Sequence, residues 1–282
     1  MNILIIGGSG MLGGQCIDYF LSIENNKIYS TCRSLNEHLI SLKSKEKIVN
    51  IDNVDVLNFS TVIDAIEKSS PDLVINCAGA IKQKDIGVNP VDAIRINGLF
   101  PHKLADAADK YGFKLVLVST DCVFNGNKGS YTEKDPSDCL DIYGKSKFIG
   151  EISDKDNVLT IRTSIIGIEH SSSLSLLSWF LSQTNTISGY KNAIYSGVPT
   201  TYLAEFINQY FDMSGLYHLS SKPISKFELL NYFAEYYNHK IEIVEDLSFE
   251  IDRSLQAKKL EEEINFIQPS WQDLVTYLPK EL

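Results

Sequence analysis

The chain has 282 residues, 44% of them hydrophobic and 22% charged, with a formal net charge of -10 and a pI near 5.0. That length allows one or two domains with a substantial core, and the composition is ordinary for a globular protein. The acidic balance excludes the broad phosphate-binding face that nucleic acid or an anionic membrane would need, although one or two arginines can still hold a phosphorylated small molecule.

The five cysteines, Cys16, Cys32, Cys77, Cys122 and Cys139, are odd in number and show no metal-ligand spacing, so reduced thiols and no metal site are expected. Met1–Ile6 lacks the basic region of a signal peptide, and no run of ~18 apolar residues is present to span a membrane. A cytoplasmic protein without a membrane partner is expected.

Taken in order, Asn2-Ile3-Leu4-Ile5-Ile6 is an apolar run of the type buried in parallel sheets. Gly7-Gly8-Ser9-Gly10-Met11-Leu12-Gly13 follows at once, and residues 15–21 read as a helix. Glycines at 7, 10 and 13 permit a tight turn and bring a pyrophosphate close to a helix N-terminus; a purely structural turn is the alternative. Lys27–Cys32 predicts a second strand, continued by Arg33 and Ser34 with no carboxylate. A guanidinium there suits a phosphate on the ribose, hence NADPH over NADH, with an exposed loop arginine as the bland alternative.

Residues 48–52 predict a third strand, with Asp52 at its end to meet an adenine ring or to cap the succeeding segment. A helix over 58–69 is broken by Pro71, and residues 72–80 predict a fourth strand running into Cys77, Ala78, Gly79 and Ala80. Small side chains at a strand end admit a cofactor, although a tight turn needs them too. A long helix over 90–111 contains Asn97, which either hydrogen-bonds into the site or caps nothing. The apolar run 113–118 is a further strand. Alternation at this rhythm predicts an α/β, Rossmann-type doubly wound parallel sheet, with ligands at the carboxyl ends of its strands. Gly7, Arg33, Gly79 and Thr120 all fall at such ends.

Ser119-Thr120-Asp121 closes the 113–118 run, and Tyr143-Gly144-Lys145-Ser146-Lys147 comes after a polar excursion. A Tyr and a Lys four apart share one helix face, so the ammonium can favour the ionised phenol. A phenol of pKa ~10 needs such a charge to work near neutral pH. Tyr143 is then the proton donor, Lys147 its tuner, and Thr120 a hydroxyl that orients the substrate oxygen.

With these residues the sequence resembles the extended short-chain dehydrogenases/reductases, and within them the dTDP-4-dehydrorhamnose reductase branch. The resemblance is carried by Ser119 to Gly126, Gly129 to Pro136, Tyr143 to Lys147, Ile161 to Ser164, Gly197 to Thr200, Gly215 to His218, Arg253 to Leu255 and Pro269 to Trp271, nearly the whole chain. It implies a catalytic set of Thr120, Tyr143 and Lys147. It also implies an NADPH site at Gly7, Gly10, Met11, Leu12, Gly13, Arg33, Ser34, Asp52, Cys77, Ala78, Gly79 and Asn97, joined by Tyr143 and by Lys147, which would hold the nicotinamide ribose. Asp121, Cys122 and Arg253 are its substrate contacts. The implied activity is hydride delivery to a carbonyl of a nucleotide-linked 4-keto-6-deoxysugar in cell-surface polysaccharide synthesis, with a homodimer left open.

The chain departs from the family in two places. Cys122 stands where the rhamnose-type enzymes tend to have Tyr and the related dehydratases have Glu, which disfavours dehydration, and 81–85 does not match the reductase pattern. A sugar-nucleotide epimerase with retained NADP and a non-catalytic NADP-binding regulatory subunit are the alternatives.

Beyond 164 the alternation loosens, so residues 1–163 are expected to form the NADP-binding domain and 164–282 mainly a substrate-binding lobe, with segments crossing back. A helix over 171–183 and a crossing loop over 195–201 are predicted. Arg162, His170, Lys191 and Arg253 are candidates for phosphate or sugar contacts, each with a solvated or internally paired charge as its alternative. His218 reads as a satisfied core histidine, Glu261–Glu263 as a helix surface, and Trp271 and Tyr277 as packing residues of the C-terminal helix.

Overall fold

The computed structural model describes residues 1–42, 45–80, 89–168 and 175–280. Its strands are β1 (Asn2–Ile6), β2 (Lys27–Thr31), β3 (Ile48–Ile51), β4 (Leu73–Asn76), β5 (Lys114–Thr120), β6 (Val158–Thr163), β7 (Ile165–Ile166), β8 (Ile187–Tyr195), β9 (Val198–Pro199), β10 (Gly215–His218), β11 (Ile224–Ser225) and β12 (Ile243–Asp252). A seven-stranded sheet runs in the order β10-β6-β5-β4-β1-β2-β3. Within it β1 pairs in parallel with β2 and β4, β2 with β3, and β4 with β5.

Ile3, Leu4, Ile5, Leu73, Val74, Ile75, Leu115 and Val116 are all fully buried. Both faces of the sheet are therefore covered, which is why these strands read as unbroken apolar runs without alternation. On one face Leu4, Ile6, Val74, Leu115 and Leu117 pack with Val62 and Ile66 of the helix Phe59–Ser69 and with Phe100 and Leu104 of the helix Phe100–Tyr111. Burying a side chain of this size stabilises by roughly 1.5–3 kcal/mol. The helix Met11–Ser22 packs on β1 and β2 through a buried face that includes Cys16, Ile17 and Phe20.

After β3 the chain returns past β1 to form β4, so the strand order reverses between β1 and β4. In a doubly wound sheet such a reversal opens a crevice at the carboxyl ends of the strands. The register puts Ile6 level with both Thr31 and Asn76. Gly7, Cys32 and Cys77 consequently follow on one level.

The fourth strand is shorter than the sequence pattern predicts, ending at Asn76, so Cys77–Ala80 lie beyond it. The helical stretch 90–111 is interrupted by a π-helical turn at Ile94–Leu99. Of the helix expected over 171–183, Leu176–Ser182 is observed, and residues 171–174 lie outside the described residues. The crossing loop expected over 195–201 is instead the end of β8, the strand β9 paired with β7, and the start of the helix Thr200–Tyr210. Gly197 and Pro199 signalled a break, but Pro199 is tolerated where β9 has β7 as its partner and no central ladder to serve.

The chain divides into two compact units. The first is Met1–Ser119, Leu140–Ile161 and Ala204–Leu216; the second is Thr120–Cys139, Arg162–Leu203 and Tyr217–Leu282. Residues 120–139 and 162–163, inside the range 1–163, thus join the second unit, and 204–216, inside 164–282, join the first.

The second unit holds the sheet β11-β8-β12. Tyr195, Phe180, Phe233 and Trp271 pack ring against ring beneath it, and Tyr277 meets Tyr202. Glu261, Glu262 and Glu263 are exposed on the helix Lys258–Ile264, where Glu263 accepts a hydrogen bond from the Tyr217 hydroxyl. All five cysteines are free thiols. Among the described residues no helix is long and apolar enough to cross a membrane.

Candidate active site

In the first unit, Gly7 leaves β1 with φ +86°, a conformation that only glycine adopts without strain. A Cβ on Gly7 would lie 2.9 Å from Ala78 N, and one on Gly13 would lie 2.2 Å from Gly7 O. The turn is thereby folded against the segment that follows β4. Gly10 N donates to Gly7 O at 3.1 Å, and Gly10 then heads the helix that begins at Met11 and Leu12 with no side chain capping it. Backbone N–H groups at the first turn, with the helix dipole behind them, suit a pyrophosphate.

Arg33 and Ser34 are exposed just past β2, and Asp52 is exposed just past β3. Burial and then the Asp52 charge push the Cys32 thiol up. Ala78 N donates to Asn76 Oδ1, and Gly79 is exposed. The cofactor residues expected from the sequence therefore gather along the carboxyl ends of β1, β2, β3 and β4.

Tyr143 and Lys147 both lie on the helix Ile142–Ile149, one turn apart, and Asp141 caps it by accepting from Gly144 N. Lys147 Nζ donates to Val118 O at 2.7 Å. Burial lowers its pKa to about 8, against the opposing pull of Glu151 and Cys77. Cys77 is itself pushed well up, first by its hydrogen bond with Cys16 and then by burial. Ser119 Oγ donates to Glu151 Oε1 at 2.6 Å, so the strand carrying Val118 is tied to the residue that faces Lys147.

Asn97 is 2% exposed and sits in the π-helical turn. Its Oδ1 accepts from Ala80 N at 2.9 Å, and its Nδ2 donates to Ala80 O at 3.0 Å and to Ser146 Oγ at 3.1 Å. It joins the segment after β4 to the helix of Tyr143 and Lys147. Of the two readings of Asn97, hydrogen-bonding into the site or capping nothing, its side chain does hydrogen-bond, to Ala80 and Ser146.

In the second unit, Thr120 Oγ1 donates to Asp121 Oδ1 at 3.1 Å and accepts from Cys122 N at 3.1 Å. Burial raises the Asp121 pKa, opposed first by Arg253. Arg253 Nε donates to Phe124 O at 2.9 Å, and its Nη1 lies 3.8 Å from Cys122 Sγ. Asp121, Cys122 and Arg253, the expected substrate contacts, thus form one cluster with Thr120.

The other charged candidates are engaged elsewhere. Lys191 pairs with Glu228 and Glu245, and Arg162 is buried over the Phe124 ring and against His218. His218 is a core residue as expected, with Nδ1 at Gln256 O and its pKa lowered to about 3 by burial. His170 lies outside the described residues. Three residues escaped the sequence: Glu151 and Ser146, partners of the site, and Lys226, whose pKa burial lowers to about 8 while Asp121 and Cys122 oppose it. Only Glu151 had a signal, being four residues after Lys147.

A sheet with this strand order, a glycine turn at its reversal point and a Tyr-x-x-x-Lys helix beside it define the extended short-chain dehydrogenase/reductase class of Rossmann-type proteins. The chain belongs to the family described as RmlD substrate binding domain, whose sequence model matches residues 1–281. It is similar to the methionine adenosyltransferase 2 subunit beta of Rattus norvegicus, 27% identical over 158 residues, which are 56% of this chain and 44% of that protein. It is also similar to the spore coat polysaccharide biosynthesis protein SpsK of Bacillus subtilis (strain 168), 28% identical over 79% of this chain and 74% of that protein. The alignments with the methionine adenosyltransferase subunits span less than half of those proteins' length. Among solved structures, dTDP-4-dehydrorhamnose reductase from Bacillus anthracis str. Ames in complex with NADP superposes with a TM-score of 0.76 at 24% identity, over 97% of this chain and 96% of that one. At that identity the likeness shows the fold.

Proposed function

We propose that the chain is an NADPH-dependent reductase of a nucleotide-activated 4-keto-6-deoxysugar, working in the cytoplasm in the synthesis of a surface polysaccharide. The observation that carries this is the helix Ile142–Ile149, where Tyr143 stands one turn from an ammonium bonded to the carbonyl of Val118. Residues 1–163 supply most of the cofactor half and 164–282 most of the substrate half.

The cleft suits the cofactor on its own chemistry. Gly7 and Gly13 leave no room for a Cβ, and the uncapped helix at Met11 offers N–H groups to a pyrophosphate. Gly10, Met11, Leu12 and Gly13 would hold that pyrophosphate, Arg33 and Ser34 the ribose phosphate, and Asp52, Cys77, Ala78 and Gly79 the adenosine side. Bound NADPH would supply the hydride. Tyr143 gives its phenolic proton to the substrate oxygen, and Lys147 keeps a positive charge near to favour the phenolate left behind. Thr120, once its hydroxyl proton turns away from Asp121 Oδ1, would orient the same oxygen, while Asp121, Cys122 and Arg253 contact the sugar nucleotide.

The test is NADPH consumption, followed by near-UV absorbance, with dTDP-, UDP-, GDP- and CDP-linked 4-keto-6-deoxysugars. Rapid loss with one member supports the reductase and identifies its nucleotide. Tyr143→Phe should then lower turnover by ~10²–10⁴ with NADPH binding kept. The likeness to methionine adenosyltransferase subunits favours one second reading, a non-catalytic NADP-binding regulatory subunit. Silence across the panel, with NADPH bound and a partner enzyme copurifying, would select it.

A further inference from the structure

Lys226 is the first residue of the helix Lys226–Tyr236, behind the N-cap Ser225 and its capping box with Glu228. A cation in that position works against the helix dipole, which favours negative charge at the N-terminus. The side chain is also half-buried, and burial opposes its charge. Helix stability does not explain a lysine here.

Its surroundings within the second unit are specific. Ile224 pairs with Tyr195 across β11 and β8, which brings Lys226 Nζ to 4.0 Å from the centroid of the Tyr195 ring. Asp121 and Cys122, the two residues that follow Thr120, attract the same ammonium. Arg253 stands at Cys122 and also acts on Asp121. Two cations therefore flank one carboxyl that is itself buried, 8% exposed and bonded to Thr120. Among the described residues no carboxylate lies within ion-pair distance of Lys226, and its ammonium makes no hydrogen bond. Toward the described residues its three N–H donors are uncommitted. An ammonium on an aromatic face, beside a hydroxyl and a carboxyl, offers donors to a ligand rich in oxygen acceptors.

We propose that Lys226 is a specificity-determining residue that donates hydrogen bonds to oxygens of the sugar in the nucleotide-sugar substrate, beside Thr120 and Asp121. This rests on the proposed function and deepens it. A hexose carrying hydroxyl or carboxylate oxygens at that position is accepted; one presenting only hydrocarbon there is not.

The test is calorimetric titration of the NADP-bound protein with the glucose diphosphonucleotides of thymidine, uridine, guanosine and cytidine, and with each free nucleoside diphosphate. Lys226→Met keeps the length and apolar stem of the side chain. It should weaken the preferred nucleotide sugar by about 10–100-fold, leave the matching free diphosphate unchanged, and leave NADPH affinity and thermal midpoint at wild-type values. Lys226→Arg should recover most of the loss. Equal weakening of sugar nucleotide and free diphosphate would assign Lys226 to the nucleotide and overturn the proposal, as would no change in either. If Lys226→Met unfolds, Lys226→Gln is scored by the same ratio of sugar nucleotide to free diphosphate. A wild-type protein that binds NADPH but binds none of these nucleotide sugars and turns over no 4-keto-6-deoxysugar nucleotide would reject the reductase itself, and the proposal with it.

Discussion

Lys147 Nζ donates a 2.7 Å hydrogen bond to the carbonyl of Val118, two residues before Thr120 on the same strand. The ammonium is thus anchored by the backbone of β5, with the Glu151 carboxylate attracting it as well.

Burial lowers the Lys147 pKa to about 8, so turnover should fall as pH rises through about 8. Lys147→Arg, whose guanidinium titrates above ~12, should carry that fall to higher pH in whatever activity it retains. The check is kcat against pH for both proteins; a wild-type profile that stays flat well above pH 8 counts against the role. The same shift has a stability consequence of known sign. The folded form holds fewer protons than the unfolded form between about 8 and the unshifted 10.5, so stability contributed at this site rises with pH across that window. Lys147→Met should remove that rise from the urea midpoint.

Gly10 and Gly13 separate binding from folding. A Cβ on Gly13 meets Gly7 O at 2.2 Å, whereas one on Gly10 finds the same atom at 3.4 Å, ordinary contact. Gly13→Ala should lose roughly 1–3 kcal/mol of stability together with NADPH affinity. Gly10→Ala should keep its thermal midpoint and lose NADPH affinity, because its methyl group would stand where the pyrophosphate approaches. Fluorescence titration with NADPH and a melting curve on each variant decide the matter.

Arg33→Ala removes the guanidinium beyond β2 without touching the core, since the side chain is exposed. NADPH affinity should drop by about 10–100-fold while NADH affinity stays level. Equal effects on the two cofactors would detach Arg33 from the ribose phosphate.

Asn97→Ala strips partners from both backbone groups of Ala80 and from Ser146 Oγ, all held by one buried side chain. Each buried group left without a partner costs about 1–3 kcal/mol. A lower urea midpoint is expected, along with a reduced kcat, because Ser146 belongs to the helix of Tyr143 and Lys147. A variant with normal kcat but lower stability would confine Asn97 to a structural brace.

Much of this architecture was readable in advance, for physical reasons that also mark where reading stops. The central strands announced themselves because burial on both faces demands unbroken apolar runs, and the glycine turn because only glycine fits at position 7 against Ala78 N and at position 13 against Gly7 O. Tyr143 and Lys147 were legible because helical spacing fixes their shared face. Lys226 was not, since it lies 83 residues beyond Tyr143 in sequence and only the β11–β8 pairing carries it to Tyr195. The matched stretch Gly129–Pro136 was legible as a family mark but not as structure. Tyr131 Oη accepts from Gly126 N and Lys128 N, Glu133 accepts from His218 N, and Asp135 accepts from Thr132 N. Those residues brace the loop that leaves Thr120. Tyr195–Thr201 misled because glycine and proline mark breaks without saying what resumes after them.

The chain passes between its two units after Ser119, Cys139, Ile161, Leu203 and Leu216. A fragment ending near residue 163 would lack both the stretch 204–216 and β10, leaving β6 as a raw sheet edge open to other chains. Each unit is built from several separate stretches of chain, so no single cut in the sequence releases either one whole.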